Sequence, residues 1–291
     1  MPAAAVSIVV THYRTPKLLL ECLERLALYA PAAATLVVDT GGVVDTGGVA
    51  AARRSFPEVR FIETVNHSLA NAVNTGLKQT EAPFVLQMNA DVMLAAGTLE
   101  AMLERLQRPG VGMVGPRCRT PAGTWQNQGV LYRPYYAYLD FSKAAAVPVP
   151  WLSGCCQLVR REVLTEVGGM NSSFRFYNED VEWCWRLRRT GYRCELVKAS
   201  VLHVGGASTP ADERFMLEGL RGGMALSRQY KPRLYRSLHR QGVRRYAEWR
   251  CRGKAAGVYT DLARMFAAKR FDESPFGDTL NDDNPAFLRG L

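Results

Sequence analysis

Apolar residues recur along the first ninety positions in two alternating rhythms. Val6–Thr11, Thr35–Thr40, Val59–Glu63 and Phe84–Met88 are short, largely β-branched or apolar runs with the length of buried strands. Between them, Pro16–Ala27 carries Leu18, Leu19, Cys22, Leu23 and Leu26 at helical spacing, with Pro16 admissible in the first turn. Leu69–Gln79 is predicted to be a second helix. This alternation predicts a parallel sheet with helices on both faces. Ligands of such sheets bind beyond the carboxyl ends of the strands. Thr11, His12 and Tyr13, then Asp39, then Asn89, Ala90 and Asp91 all stand at such ends, so the pattern places them around one crevice.

The rhythm then breaks. Residues 110–150 hold Gly112, Gly115, Pro116, Pro121, Gly123, Gly129, Pro134, Pro148 and Pro150 among many aromatics, which predicts an antiparallel excursion and a long loop. Strands are predicted at Trp151–Arg160 and Cys194–His203, and helices at Arg161–Val167 and Glu179–Thr190. From about Ala211 the pattern is helical and basic, then acidic with prolines. The expected organisation is an α/β domain over 1–210 and a mainly helical extension over 211–291. Residues 37–48 are two identical copies of Val-Val-Asp-Thr-Gly-Gly. The first copy is assigned to the strand end, because Thr35 and Leu36 extend it backwards. The second is predicted to be a loop.

Composition narrows the class. The 291 residues are 47% hydrophobic, enough for one large core or two modest ones. No run approaches the roughly 18 uncharged apolar residues of a membrane span. The first residues lead directly into Val6–Val10 and read as a first strand, not a signal peptide. The seven cysteines are scattered without a Cys-x-x-Cys spacing, which favours a reduced, cytoplasmic protein over a disulfide framework or zinc site. The adjacent Cys155 and Cys156 read as packing residues. The net charge of +10 is concentrated between Arg221 and Lys254, where eleven basic residues face the single acid Glu248. Such a segment suits phosphates or an anionic surface, or is simply a solvated helix face.

Three sites carry candidate chemistry. Asp91, closing an apolar strand, is either a turn aspartate or a carboxylate for a hard cation that bridges to phosphate. Asn178 is a suitable N-cap, and Glu179 and Asp180 suit the start of a helix dipole, which favours the ionised form that a base requires. Val181, Cys184, Trp185 and Leu187 form the apolar face of that helix, and Glu182 and Arg186 are spaced to pair. His203 ends a strand, and as a ligand it suits Mn²⁺ or Zn²⁺ better than Ca²⁺. His12 reads as a crevice wall. No P-loop sequence occurs, and no Gly-x-Gly-x-x-Gly follows the first strand.

These pieces, in this order over about residues 5–208, resemble the family 2 inverting glycosyltransferases of GT-A fold, with a rhamnosyltransferase-like character. Val6–Arg14 resembles the family's opening strand. Val37–Gly42 resembles its Val-Val-Asp-Asn-Gly-Ser segment, whose aspartate binds the base. Asn66–Ala70 and Asn74–Gly76 resemble its Asn-x-Gly-Phe-Ala and Asn-x-Gly. Asn89-Ala90-Asp91 stands at its metal-binding DxD, with Asn89 in place of the first aspartate. Gly154, Arg160-Arg161 and Val167–Asn171 resemble the block Gly-Ala…Arg-Arg…Val-Gly-Gly-Phe-Asp. Tyr177–Glu182 resembles Tyr-x-Glu-Asp-Val-Asp, whose second acid is the usual base. Val201–His203 with Ser208 resembles the closing His…Ser block. Ser68, Ala72 and Val73 depart from the pattern, and the duplicated hexapeptide lengthens the loop after Asp39.

The resemblance implies a Rossmann-like, mostly parallel sheet and a metal-dependent hexosyltransferase using Mn²⁺ or Mg²⁺. Asp180 is implied as the base, and Asp91 and His203 as metal ligands. Thr11, His12, Tyr13, Asp39, Asn66, Asn74 and Asn89 fall around the nucleotide, and Trp151, Gly154, Glu179 and Trp183 around the donor or acceptor sugar. Trp125 is a further stacking candidate, with core packing the alternative for each tryptophan. The expected partners are a nucleotide-diphosphate sugar and a glycan or lipid-linked acceptor in cell-envelope synthesis, with peripheral contact at the inner face of an anionic membrane through helices near the acceptor side. Nucleic acid is not expected, because no zinc finger or aromatic RNA-binding motif accompanies the basic segment. The rival readings are a nucleotidyltransferase, which lacks its glycine-rich loop here, and a non-catalytic phosphate or nucleic-acid binder.

Overall fold

The computed structural model describes residues 5–41, 46–130, 139–142, 144–207, 209, 212–251, 256–285 and 287. The chain forms two compact units. The first comprises Met1–Asn66, Ala70–Asn171 and Asp180–Ser208, and the second His67–Leu69, Ser172–Glu179 and Thr209–Leu291.

The first unit contains strands β1 (Val6–His12), β2 (Ala34–Asp39), β3 (Arg60–Glu63), β4 (Phe84–Asn89), β5 (Val92–Met93), β6 (Val111–Arg119), β7 (Ala146–Val149), β8 (Cys156–Arg160) and β9 (Arg193–His203). They form one mixed sheet in the order β3-β2-β1-β4-β8-β6-β9-β5, with β7 on β9. The run β3-β2-β1-β4 is parallel, and β8 enters antiparallel between β4 and β6. Its helices are α1 (Pro16–Tyr29), α2 (Thr46–Ser55), α3 (Leu69–Lys78), α4 (Thr98–Leu106), α5 (Arg161–Val167) and α6 (Glu179–Arg189), the first residues of α3 and α6 belonging to the second unit. Alternate β1 residues Val6, Ile8 and Val10 and the α1 residues Leu19, Cys22, Leu23 and Leu26 are buried in one core. Gly76 lets α3 lie close to β1, since a Cβ there would fall 2.2 Å from a Val9 methyl.

Four sequence expectations need correction. The strand expected at Trp151–Arg160 begins only at Cys156, because Ser153 and Gly154 turn the chain first. Residues 111–119, expected to be irregular, form a strand that runs parallel to β9 with two register shifts. Pro116, which has no N–H for a ladder, sits where the β6–β9 register shifts. In the second hexapeptide copy, Thr46–Gly48 open α2 instead of forming a loop; Val43–Asp45 lie outside the described residues. Asn178 does not have the extended backbone of an N-cap. Its φ is +72°, and its side chain donates to the Gly219 carbonyl.

The second unit is built on α7 (Glu213–Tyr230), α8 (Arg233–Arg250) and α9 (Ala256–Ala268). Asp212 caps α7 by accepting from the Arg214 N–H. Leu217, Met224, Ala247, Leu262, Met265 and Phe266 form its core. The basic segment is not one uniform patch. Arg221 is buried and forks onto Glu218, which is 0% exposed, while also donating to the Phe271 and Ser173 carbonyls. Arg228 pairs with Asp272 and Arg244 with Glu248. Ala247 is the buried residue of α8; Leu234, Leu238 and Trp249 on the same helix are 72%, 60% and 63% exposed. Arg252 and Lys254 lie outside the described residues.

Candidate active site

The sheet register brings the strand-end residues together. His12 is the direct partner of Asp39 across β1 and β2, and Thr11 is the partner of Asn89 across β1 and β4. His12 Nδ1 lies 2.9 Å from Asp39 Oδ1, while His12 Nε2 accepts the Thr15 N–H at 3.0 Å. An acceptor Nε2 leaves the proton on Nδ1, so His12 donates to Asp39. The Gly41 N–H donates to the same oxygen at 2.9 Å. Burial works to raise the Asp39 carboxyl, but the donors from His12 and Gly41 outweigh it and hold the group below its ordinary value. Thr11 donates to Asn89 Oδ1 at 3.2 Å. Tyr13 and Asn66 are partly exposed at the ends of β1 and β3.

Asp91 lies in the tight turn between β4 and β5, and the pairing of Val92 with His203 sets it beside the end of β9. Its backbone carbonyl accepts from Val204 and its Oδ2 from the Gly205 N–H at 3.1 Å. Its Oδ1 is buried, makes no hydrogen bond, and faces His203 Nε2 at 3.4 Å. That distance is a charge contact and too long for a good hydrogen bond. Gln126 fixes the other side of the ring. Its Nε2 donates to the His203 carbonyl at 3.0 Å, so its Oε1, 2.5 Å away, receives Nδ1–H. Burial opposes a charge on His203, but the Cys155 sulfur and the Asp91 carboxylate outweigh it and push the imidazole up to about 10. An orphaned carboxylate oxygen opposite an imidazole nitrogen fits a divalent cation.

Asp180, in the first turn of α6, is partly exposed. Its Oδ2 accepts the Gly154 N–H and its Oδ1 the Val181 N–H, both at 2.8 Å. Burial raises its carboxyl above the ordinary value, against the pull of those two donors. The sequence reading has the helix dipole favouring the ionised form; burial works against it here. The next carbonyl along, that of Cys155, accepts the Asn89 N–H at 3.0 Å. Neighbouring residues thus tie Asp180 to the strand end that carries Asn89 and Asp91. Glu182, on the same helix, is buried and paired with Arg186 as its spacing predicts.

Several expected ligands have other duties. Both ends of the Asn74 amide are bound to Met170, with Nδ2 donating to its carbonyl and Oδ1 accepting its N–H, each at 2.8 Å. Asn74 therefore clamps the residues after α5. Trp183 is 1% exposed with its indole N–H on the Gly168 carbonyl, the core packing that is the alternative for each tryptophan. Gly154 acts as the donor to Asp180. Trp151 is partly exposed, and the Arg117 guanidinium lies 3.6 Å over the Trp125 ring. Glu179 is buried. Ser208 lies outside the described residues. Sequence reasoning missed Gln126, Gln128 and Cys118. The run of amides Gln126-Asn127-Gln128 between Trp125 and Gly129 was the available signal.

Known proteins resemble this chain in sequence and in fold. The model of the glycosyltransferase like family 2 matches residues 2–246. An N-acetylglucosaminyl-diphospho-decaprenol L-rhamnosyltransferase of Mycobacterium tuberculosis (strain CDC 1551 / Oshkosh) is 29% identical over 211 residues, 61% of this chain and 68% of that protein. Among solved structures, the mannosyltransferase PcManGT from Pyrobaculum calidifontis, in complex with GDP-Man and Mn²⁺, superposes with a TM-score of 0.59 at 19% identity, covering 91% of this chain and 75% of the other. GalNAc-T7 with UDP, GalNAc and Mn²⁺ gives a TM-score of 0.63 at 11% identity over 93% of this chain and 58% of the other. The chain belongs to family 2 of the glycosyltransferases, enzymes that transfer a sugar from a nucleotide sugar.

Proposed function

We propose that this glycosyltransferase is inverting and metal-dependent, moving a hexose from a nucleotide-diphosphate sugar to the hydroxyl of a glycan or lipid-linked acceptor in cell-envelope synthesis. The observation that carries the reading is the Asp180 carboxyl. It is oriented by two backbone donors, partly open to solvent and raised by burial. A base works best when its pKa approaches the working pH. The acceptor oxygen bonds to the anomeric carbon as the bond from that carbon to the diphosphate oxygen breaks. Asp180 takes the hydroxyl proton. A single displacement of this kind needs no enzyme nucleophile.

Asp39, Thr11, His12, Tyr13, Asn66 and Asn89 are the proposed nucleotide contacts. Asp91 and His203 would hold Mn²⁺ or Mg²⁺. A divalent cation there supplies positive charge against the leaving diphosphate. That two neighbours of similar fold hold Mn²⁺ supports a divalent cation, though not its ligands. The name of the mycobacterial relative supports an L-rhamnosyl donor and a lipid diphosphate as acceptor.

A thermal-shift panel of UDP-, dTDP- and GDP-sugars, with and without Mn²⁺, tests the reading on the wild type and on Asp91→Ala and His203→Ala. A nucleotide sugar should stabilise the wild type only with metal, and both variants should lose that increment. An increment that ignores metal, or survives in both variants, refutes the metal assignment.

A further inference from the structure

Behind the Asp91–His203 pair lies a second group of donors that the transfer reaction does not use. Cys118, near the end of β6, and Cys155, just before β8, bring their sulfurs to 3.3 Å. The two sulfurs and an imidazole nitrogen of His203 all lie within 4.8 Å of one another. Both cysteines are buried, at 1% and 3% exposure, and the His203 side chain at 14% is the side open to solvent. Gln128, itself buried, donates its amide N–H to the Cys118 sulfur at 3.4 Å. The fourth donor within reach of His203 is the Asp91 Oδ1 that lacks a hydrogen bond.

Ligand chemistry separates this group from a hard-cation site. Mg²⁺ and Mn²⁺ favour oxygen, whereas two thiolates and an imidazole select Zn²⁺. Two Zn–S bonds of about 2.3 Å at the tetrahedral angle set the sulfurs about 3.8 Å apart. The observed 3.3 Å needs only a small opening of the pair. The adjoining strands β6 and β8 and the Gln126 contact hold the ligands from outside.

We infer that Cys118, Cys155 and His203 form a buried soft-metal site that binds Zn²⁺, completed by Asp91 or water. Binding displaces both thiol protons, and any proton on the ligating nitrogen, to solvent, and no electron is transferred. Because the site takes His203, zinc and the hard cation proposed above exclude one another. That exclusion rests on the reading of His203 as a ligand of the hard cation; the thiolate site itself does not.

Co²⁺, which takes the place of Zn²⁺ with a sulfur-to-metal charge-transfer absorption, tests the site on the full chain under a non-thiol reductant. One equivalent should give the absorption in the wild type. Cys118→Ser and Cys155→Ser should each abolish it while keeping Mn²⁺-dependent nucleotide binding within a few-fold. Zinc-edge X-ray absorption on the wild type gives the same answer without a substitution that could disturb folding: two sulfurs at about 2.3 Å are expected. A shell of nitrogen and oxygen alone, or a charge-transfer absorption that survives in both variants, overturns the proposal and leaves the Asp91–His203 reading standing. The sulfur signature without any Mn²⁺-dependent nucleotide binding in the wild type has the opposite meaning. It supports the thiolate site and removes the reading on which the exclusion rests.

Discussion

The Gly154 N–H donates to Asp180 Oδ2 at 2.8 Å, and a Cβ on Gly154 would stand 3.1 Å from the Asp180 Cβ. A backbone donor therefore aims the acid, and a methyl at Gly154 would crowd it. Gly154→Ala should push Asp180 aside by a few tenths of an ångström while leaving the strand ends intact. A displacement of about 1 Å at a reacting group costs on the order of 10²-fold in rate, so this smaller one should cost about tenfold. Steady-state kinetics should show that loss in kcat with the donor KM within a few-fold. A loss confined to KM would place Gly154 at the donor instead.

Removing the carboxylate is the sharper test. Asp180→Asn should lower kcat by about 10²–10⁴ and leave nucleotide affinity unchanged. In the wild type, the base must be ionised, so activity should fall as pH drops through a folded pKa that burial has raised. The stability sign is opposite. A raised carboxyl holds its proton more firmly in the folded state, so its contribution to stability declines as pH rises from the unfolded value through the folded one. Asp180→Asn should thus be no less stable than the wild type near neutral pH by urea denaturation. A clear destabilisation would mark Asp180 as a structural cap.

The strand-end residues were legible because a β-branched run that stops on a polar residue marks a sheet rim whatever surrounds it. Asp39, Asn89 and Asp91 all obey that rule. What could not be read is which partner each polar group finds across the sheet. Asn74 meets Met170, and His203 meets Gln126, Cys118 and Cys155, through separate elements distant in sequence. Trp183 stood among the sugar candidates and outside the apolar face read from helical spacing, because spacing alone does not say which side of α6 is buried. The same limit hid Arg221, whose charge suggested a surface while its i, i+3 partner Glu218 held it inside.

His12 should matter to the fold as well as to the nucleotide. It donates to a carboxylate that is 4% exposed. Truncation to His12→Ala leaves a buried acceptor short of a donor, at a cost of about 1–3 kcal/mol. Because the Asp39 carboxyl is lowered in the folded state, its stabilisation is complete above the unfolded value of about 3.9 and is lost as pH falls through the folded one. The variant should lose part of that acid-side slope. Equal slopes in urea titrations across pH 2–6 would show that the pair is not what lowers Asp39.

Arg221→Met should be costly in a different way. It removes the cation paired with Glu218, which is 0% exposed and is left with the Arg175 N–H and the Ser274 hydroxyl as donors, and it frees the carbonyls of Phe271 and Ser173. Breaking a buried pair from one side costs about 3–5 kcal/mol. Calorimetry should show a lower melting temperature, and the double variant Arg221→Met with Glu218→Leu should recover part of it. A single variant as stable as the wild type would return Arg221 to the solvated face.

The exposed surface of α8 joins two properties. Leu234 and Leu238 are one turn apart, and Trp249 falls on the same side of the helix, with Tyr235 and Tyr246 beside them at 43% and 45% exposure. Arg233, Arg236, Arg240, Arg244, Arg245 and Arg250 lie on the same helix against Glu248. Aliphatic and indole groups suit the acyl boundary of a bilayer, and arginines suit anionic headgroups. Each basic residue near the surface adds roughly 1 kcal/mol of attraction, and salt screens that part alone. The protein should therefore sediment with anionic vesicles at low salt and only weakly with neutral ones. Replacing Leu238 and Trp249 by Ser should weaken binding at every salt concentration. Replacing Arg233 and Arg240 by Gln should weaken it mainly at low salt. Binding that ignores lipid charge, or no binding at low salt together with concentration-dependent dimerisation in analytical ultracentrifugation, would assign this face to a second copy of the chain and not to a membrane.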